Sequence, residues 1–192
     1  MSDLACRRGD RLLFRGLSFE LRAGEALQVV GANGTGKSSL LRILAGLLRP
    51  LAGRVEWQGP VALLDDRLPL DEHLPLGKAL GFWTRLDAAD RALDRAGLYP
   101  LSDVPVRFLS TGQRKRAAML QSAPPAGGLW LLDEPLNGLD AAGVTMLLAR
   151  IEAHRQGGGI AVIASHQPII LTDLQEIELT RYSPSPSGEG LS

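Results

Sequence analysis

An α/β fold wound around a parallel sheet is the class the sequence predicts, and three observations carry it. Short, mostly apolar runs recur at 26–30, 129–132 and 160–164, as in strands buried on both faces. Segments with helical spacing occupy 38–47 and 141–154. Strands that alternate with helices close into a parallel sheet. With 192 residues, 45% of them apolar, the chain can bury one core with a small lobe, and it is not a wholly disordered chain.

The elements follow in order. Residues 11–14 and 17–21 hold apolar side chains at or near alternate positions and read as strands, and 23–25 (Ala-Gly-Glu) reads as a turn. The buried strand 26–30 comes next, then a glycine-rich loop, then the helix of 38–47, which should end near Pro50. Residues 55–57 and 61–64 read as a strand pair around Gly59-Pro60. From about 70 to 122 the texture turns helical: Leu86, Leu93 and Ala96 share a helical face, and Asp87 and Arg91 form an i,i+4 pair. After the break at 124–128 come the strand 129–132, the helix 141–154, a Gln-Gly-Gly-Gly loop and the strand 160–164. Residues 183–192, rich in Ser, Pro and Gly, read as a disordered tail, which leaves 1–182 as the folded domain.

Composition excludes several classes. Lys+Arg and Asp+Glu both number 21, so the net charge is zero, without the basic excess expected of a nucleic-acid binder. No run approaches the length of about 18 apolar residues that spans a bilayer. The first 14 residues carry charges where a signal peptide needs an apolar core. Cys6 is the single cysteine, so no internal disulfide forms. A cytoplasmic protein is expected, one that reaches a membrane only through a partner. Cys6 reads as a small strand residue, and Arg114–Arg116 as a solvated helix face.

Two motifs carry chemistry. Gly31, Ala32, Asn33, Gly34, Thr35, Gly36, Lys37 and Ser38, with Ser39 following, fit the phosphate-loop pattern G-x-x-x-x-G-K-[ST]. Its glycines turn backbone N–H groups inward around phosphate oxygens, and the next helix presents its positive N-terminus to the same anion. Lys37 can reach the β- and γ-phosphates of ATP, and the Ser38 hydroxyl can ligate Mg²⁺. The strand before and the helix after are the context that separates this motif from a chance glycine turn. The second motif is Asp133-Glu134, at the end of an apolar strand. Parallel strands place functional groups at their C-terminal ends. Asp133 would hold Mg²⁺ and Glu134 would act as general base toward water. Alone, the pair reads equally well as solvated acids at a turn before Pro135.

Residues 109–113, Leu-Ser-Thr-Gly-Gln, start a helix, with Ser110 as N-cap and Gln113 in the capping-box position. They also resemble the LSGGQ signature of ABC-type ATPases. In that family the signature of one subunit faces the γ-phosphate held by another. The resemblance therefore implies that Ser110, Gly112 and Gln113 act in trans, within a head-to-tail homodimer enclosing two ATP molecules. Asp140 resembles the dimer-seam aspartate, and His166 the switch histidine near the γ-phosphate. The implied fold is an ABC-type nucleotide-binding domain: a P-loop core with a mainly parallel sheet, an antiparallel β part and a small helical subdomain, here about 70–122.

Two features depart from the family. Where an aromatic residue usually stacks on adenine, this chain has Arg8, with Phe14 the nearest aromatic. Where a glutamine usually follows the strand 61–64, it has Asp65-Asp66-Arg67. Asp65 or Asp66 would tune Mg²⁺ in its place, or the segment is a solvated charged turn.

Within the family, residues 6–14, 40–47, 131–140 and above all 165–168 (Ser-His-Gln-Pro) resemble the ATP-binding subunits of the cytochrome c maturation system. That resemblance implies a peripheral ATPase on the cytoplasmic face of the inner membrane, partnered by integral membrane subunits of that system. It would drive haem handling or export without binding haem itself, and no C-x-x-C-H haem-attachment motif is present. The alternatives are an ATPase subunit of a different transporter and a slow nucleotide-dependent assembly switch.

Overall fold

The computed structural model describes residues 1–65, 70–81, 93–94, 96–122 and 124–184. Its strands are β1 (Ser2–Arg8), β2 (Arg11–Leu17), β3 (Ala26–Val30), β4 (Ala52–Arg54), β5 (Val61–Leu64), β6 (Leu129–Asp133), β7 (Ile160–Ala164) and β8 (Leu174–Glu178). Its α-helices are α1 (Lys37–Leu44), α2 (Leu76–Gly81), α3 (Thr111–Ser122) and α4 (Ala141–Gln156).

A five-stranded sheet runs β5-β6-β7-β3-β8 with every pair parallel. Alternation along its strands divides the core in two. Leu129 and Leu131 of β6, Ile160 and Val162 of β7, and Leu27 and Val29 of β3 join one apolar cluster with α1 and the β1–β2 side chains. Trp130 and Leu132, Ala161 and Ile163, and Ala26 join a second cluster with Met119 of α3 and Leu147 and Ile151 of α4. Burial on both faces is why these strands read as unbroken apolar runs. The second sheet, β2-β1-β4, is antiparallel, and Cys6 lies in β1, buried as expected of a small strand residue.

The described residues within 70–122 form α2, two short 3-10 turns (Tyr99–Leu101 and Val106–Phe108) and α3. They carry their own apolar cluster, built on Leu76, Leu80, Leu93, Leu98 and Val106. Leu93 and Ala96 are buried there, whereas Leu86, Asp87 and Arg91 lie outside the described residues.

Several sequence expectations need correction. The helix after the glycine loop ends at Leu44, well before Pro50. Gly46 takes φ 72° and donates to the Ile43 carbonyl, while Leu47 donates to that of Arg42. This is a Schellman stop, and a glycine at that position ends a helix as surely as a proline. Residues 55–57 and 61–64 are not a strand pair: β4 ends at Arg54 and pairs with β1, while β5 joins β6 in the other sheet. The run 17–21 leaves the strand after Leu17, although Met1 and Phe19 still exchange backbone hydrogen bonds. The edge strand β8 has no counterpart in the sequence reading, because Leu-Gln-Glu-Ile-Glu has too little apolar character to mark it. Among the described residues no helix is long and apolar enough to cross a membrane.

Candidate functional site

Register builds the site. Ala164 pairs with Val29 of β3 and with Asp133 of β6, so three strands end level with one another. The glycine loop follows β3, Glu134 follows β6, and Ser165-His166 follows β7. All three segments therefore leave the sheet at its C-terminal edge, where ligands bind in open α/β folds.

The loop is shaped by glycine. Gly36 is the N-cap of α1 at φ 108°, and a Cβ there would meet Leu13 at 3.1 Å and Phe14 at 3.2 Å. No side chain caps α1, so the N–H groups of its first turn are free to meet an anion. They face a cleft of about 330 Å³ walled by Arg8, Leu13, Asn33, Gly34, Ser39 and their neighbours. Thr35 closes the loop from within, both its N–H and its Oγ1 donating to the Ala32 carbonyl. Lys37 is only 7% exposed. Its Nζ donates to the Gly31 carbonyl at 2.7 Å and lies 3.4 Å from Glu134 Oε1.

The Ser38 hydroxyl donates to Asp133 Oδ1 at 3.1 Å, so a hydroxyl of the cleft wall and a carboxylate oxygen stand side by side. Oxygen donors of this kind suit Mg²⁺, which typically takes one or two carboxylates and completes its shell with phosphate and water. Glu134 follows, with its N–H donating to the Ala164 carbonyl at 2.8 Å. Its Oε2 accepts from His166 Nδ1 at 2.9 Å. With Glu134 ionised, the proton of that bond sits on Nδ1.

The signature helix forms as its sequence predicts. Ser110 N–H donates to Gln113 Oε1 at 2.8 Å, and Gln113 N–H donates back to Ser110 Oγ at 3.2 Å, a complete capping box. Residues 110–113 are not part of the cleft wall around Lys37. Gly112 lies against the Gly138 carbonyl, where an added Cβ would stand at 2.5 Å. Asp140 caps α4 through the Gly143 N–H and pairs with Arg116 at 2.6 Å.

The expectation of a solvated face at Arg114–Arg116 is wrong. Arg114 donates to the carbonyls of Leu109 and Arg107, Lys115 is buried and donates to the Glu134 carbonyl, and Arg116 holds Asp140. Each cation satisfies a group that the loops around it leave open. At the departures from the family, Phe14 is fully buried in the core, so only Arg8 of the two candidates reaches the cleft. Asp65 is partly buried and lies 3.7 Å from Arg42 of α1; Asp66 and Arg67 lie outside the described residues.

Sequence reasoning passed over a polar chain behind the site. Gln28 is 4% exposed and donates to the Gln167 carbonyl at 2.8 Å, while Gln167 Nε2 donates to Asn137 Oδ1 at 3.0 Å. A glutamine inside the apolar run of β3 was the available signal, since a polar group there must find a partner.

Fold and site together define an ATPase class: a phosphate loop, an acidic strand end and a capped signature helix on one α/β scaffold. Comparison with known proteins agrees. The ABC transporter family matches residues 14–137. The cytochrome c biogenesis ATP-binding export protein CcmA of Novosphingobium aromaticivorans is 57% identical, over 95% of this chain and 96% of that protein. The CcmA protein of Zymomonas mobilis is 52% identical, over 94% and 83%, and that of Escherichia coli 40%, over 97% and 96%. An ABC transporter ATP-binding protein from Pyrococcus furiosus shares the fold at TM-score 0.80 and 20% identity, over 95% of this chain and 98% of that one. The chain belongs to the ABC transporter family and, within it, to the CcmA proteins.

Proposed function

We propose that this chain is the ATP-hydrolysing subunit of an ABC-type membrane complex that drives haem handling or export for cytochrome c biogenesis. One observation carries the chemistry: Glu134 stands between Lys37 and His166 beside the Ser38–Asp133 pair. The names of its relatives carry the pathway.

The roles follow from the geometry. The N–H groups of residues 31–39 and the Lys37 ammonium bind the phosphates of ATP. Ser38 and Asp133 hold Mg²⁺, which supplies charge neutralisation of the phosphates when bound. Glu134 accepts a proton from the attacking water. As that water oxygen bonds to the γ-phosphorus, the bridging oxygen–phosphorus bond breaks and ADP leaves with the electron pair. His166, oriented by Glu134, contacts the γ-phosphate. The Arg8 guanidinium stacks on adenine. Asp65, held by Arg42, stands in the region of the missing glutamine.

In this reading the chain works as a head-to-tail homodimer. Ser110, Gly112 and Gln113 close on the partner copy's nucleotide, and Asp140 lies at the seam. The dimer attaches to integral membrane subunits of the cytochrome c maturation system, at the cytoplasmic face of the inner membrane. It binds neither haem nor nucleic acid directly.

A pull-down of Glu134→Gln with Mg-ATP from native membranes tests this, since the variant should bind ATP and fail to hydrolyse it. Recovery of cytochrome c maturation subunits is the expected result. Recovery of an unrelated permease would overturn the haem assignment and keep the ATPase. Recovery of no membrane protein would leave the slow assembly switch.

A further inference from the structure

Among the described residues of the candidate site, Glu134 is the one non-glycine residue in the left-handed backbone region, at φ 44°. Long side chains rarely adopt that conformation, and it persists only where the surroundings over-determine it. Two contacts do so here. The Glu134 N–H continues the β6–β7 ladder by donating to the Ala164 carbonyl at 2.8 Å. The Glu134 carbonyl accepts from Lys115 Nζ at 2.5 Å. Lys115 is 7% exposed, and a charge-assisted bond in such surroundings is stronger than a neutral one.

We propose that Lys115 is a positioning residue for ATP hydrolysis. By holding the Glu134 carbonyl it fixes the left-handed turn that directs the Glu134 carboxylate between Lys37 and His166. The inference rests on reading Glu134 as the general base. It deepens that reading, because Lys115 belongs to α3, the helix whose capped start carries Ser110, Gly112 and Gln113. One rigid helix thus presents the signature to a neighbouring copy at its N-terminus. Two residues after Gln113 it grips the catalytic loop of its own chain. A displacement of α3 along its axis would shift the Glu134 peptide with it.

The test compares Lys115→Met, Lys115→Arg and Glu134→Gln in the intact membrane complex, reading ATP affinity, KM and kcat separately. Lys115→Met should lower kcat about 10- to 100-fold while the ATP Kd and KM stay within about twofold, as for a lost orienting contact. Lys115→Arg, which keeps a charged donor, should recover most of the rate. In the double variant, Lys115→Met should add no further loss to Glu134→Gln, since both act through one carboxylate. If Lys115→Met does not accumulate as folded protein, Lys115→Leu, which also lacks a donor, carries the same comparison. A wild-type kcat in the Met or Leu variant, or a fall in kcat matched by an equal loss of ATP affinity, would overturn the proposal. Full hydrolysis by Glu134→Gln would instead overturn the base assignment on which it rests.

Discussion

Gly36→Ala separates loop geometry from side-chain chemistry. The backbone there has φ 108°, where an L side chain costs roughly 1–2 kcal/mol. The new methyl would stand 3.1 Å from Leu13 and 3.2 Å from Phe14, and Phe14 is fully buried. Overpacking of this kind adds about 1–3 kcal/mol. The total, about 2–5 kcal/mol, lowers the melting temperature by roughly 4–20 °C for a chain of this size. A second, separable effect is on ligand. If the shifted loop weakens ATP binding tenfold, stabilisation by nucleotide at 100 times the wild-type Kd drops from about 2.7 to about 1.4 kcal/mol. Thermal unfolding with and without Mg-ATP measures both numbers. Gly46→Ala is the control: it has φ 72° but open space around it, so it carries backbone strain alone and should keep the full nucleotide shift. If Gly36→Ala melts within 1 °C of wild type (about the resolution needed here) and keeps the whole nucleotide shift, the left-handed N-cap is not what shapes the phosphate cradle.

Three further outcomes are expected. Ser110→Ala removes one half of the capping box and should cost about 1 kcal/mol, read as a 2–4 °C fall in melting temperature, roughly the slope for this size; an unchanged melting temperature would mean the cap contributes nothing. Arg8→Ala should weaken ATP binding about two- to fivefold while leaving inorganic tripolyphosphate binding unchanged, as a stacking contact on the base requires; equal losses for both ligands would mark Arg8 as a phosphate contact. Burial pushes the Cys6 thiol above its ordinary range, against smaller opposing effects from a hydrogen bond with Ser39 and the Arg8 charge. Native protein should therefore resist iodoacetamide at pH 8 while the unfolded chain reacts, and stability should fall as pH rises through the ordinary thiol value, because the unfolded chain loses that proton first. Rapid alkylation of the native protein, followed by mass spectrometry, would show Cys6 to be accessible.

The parts legible in the sequence are those whose physics is local. The glycine loop, the acidic strand end and the capping box each need specific residue types at fixed spacing, and each stands where its motif placed it. The three apolar runs became β3, β6 and β7 because burial on two faces leaves no alternation to misread. What escaped depends on tertiary partners. β4 and β5 are short, and nothing in residues 52–64 says that they enter different sheets. β8 is an edge strand whose backbone bonds to β3, and only Leu174 and Ile177 of its five side chains are apolar. The cations of Arg114–Arg116 read as solvated because a helix pattern shows which residues share a face and not which carbonyls await them.

Core and site are one object in this fold. A one-residue slip of β6 against β7 would exchange Trp130 and Leu132 with Leu129 and Leu131 between the two apolar clusters. Trp130 is fully buried, so such a slip would put the largest side chain of the strand on the wrong side of the sheet. The alternation that excludes the slip is therefore what sets Asp133 opposite Ala164, beside Ser38. It also leaves Glu134 to turn out of the ladder within reach of Lys37, His166 and Lys115. Each of those three groups comes from a different element: the start of α1, the loop after β7, and α3. The carboxylate is placed only when all of them are packed, so the aliphatic side chains of β6 set the position of Glu134 as directly as the charged groups that surround it.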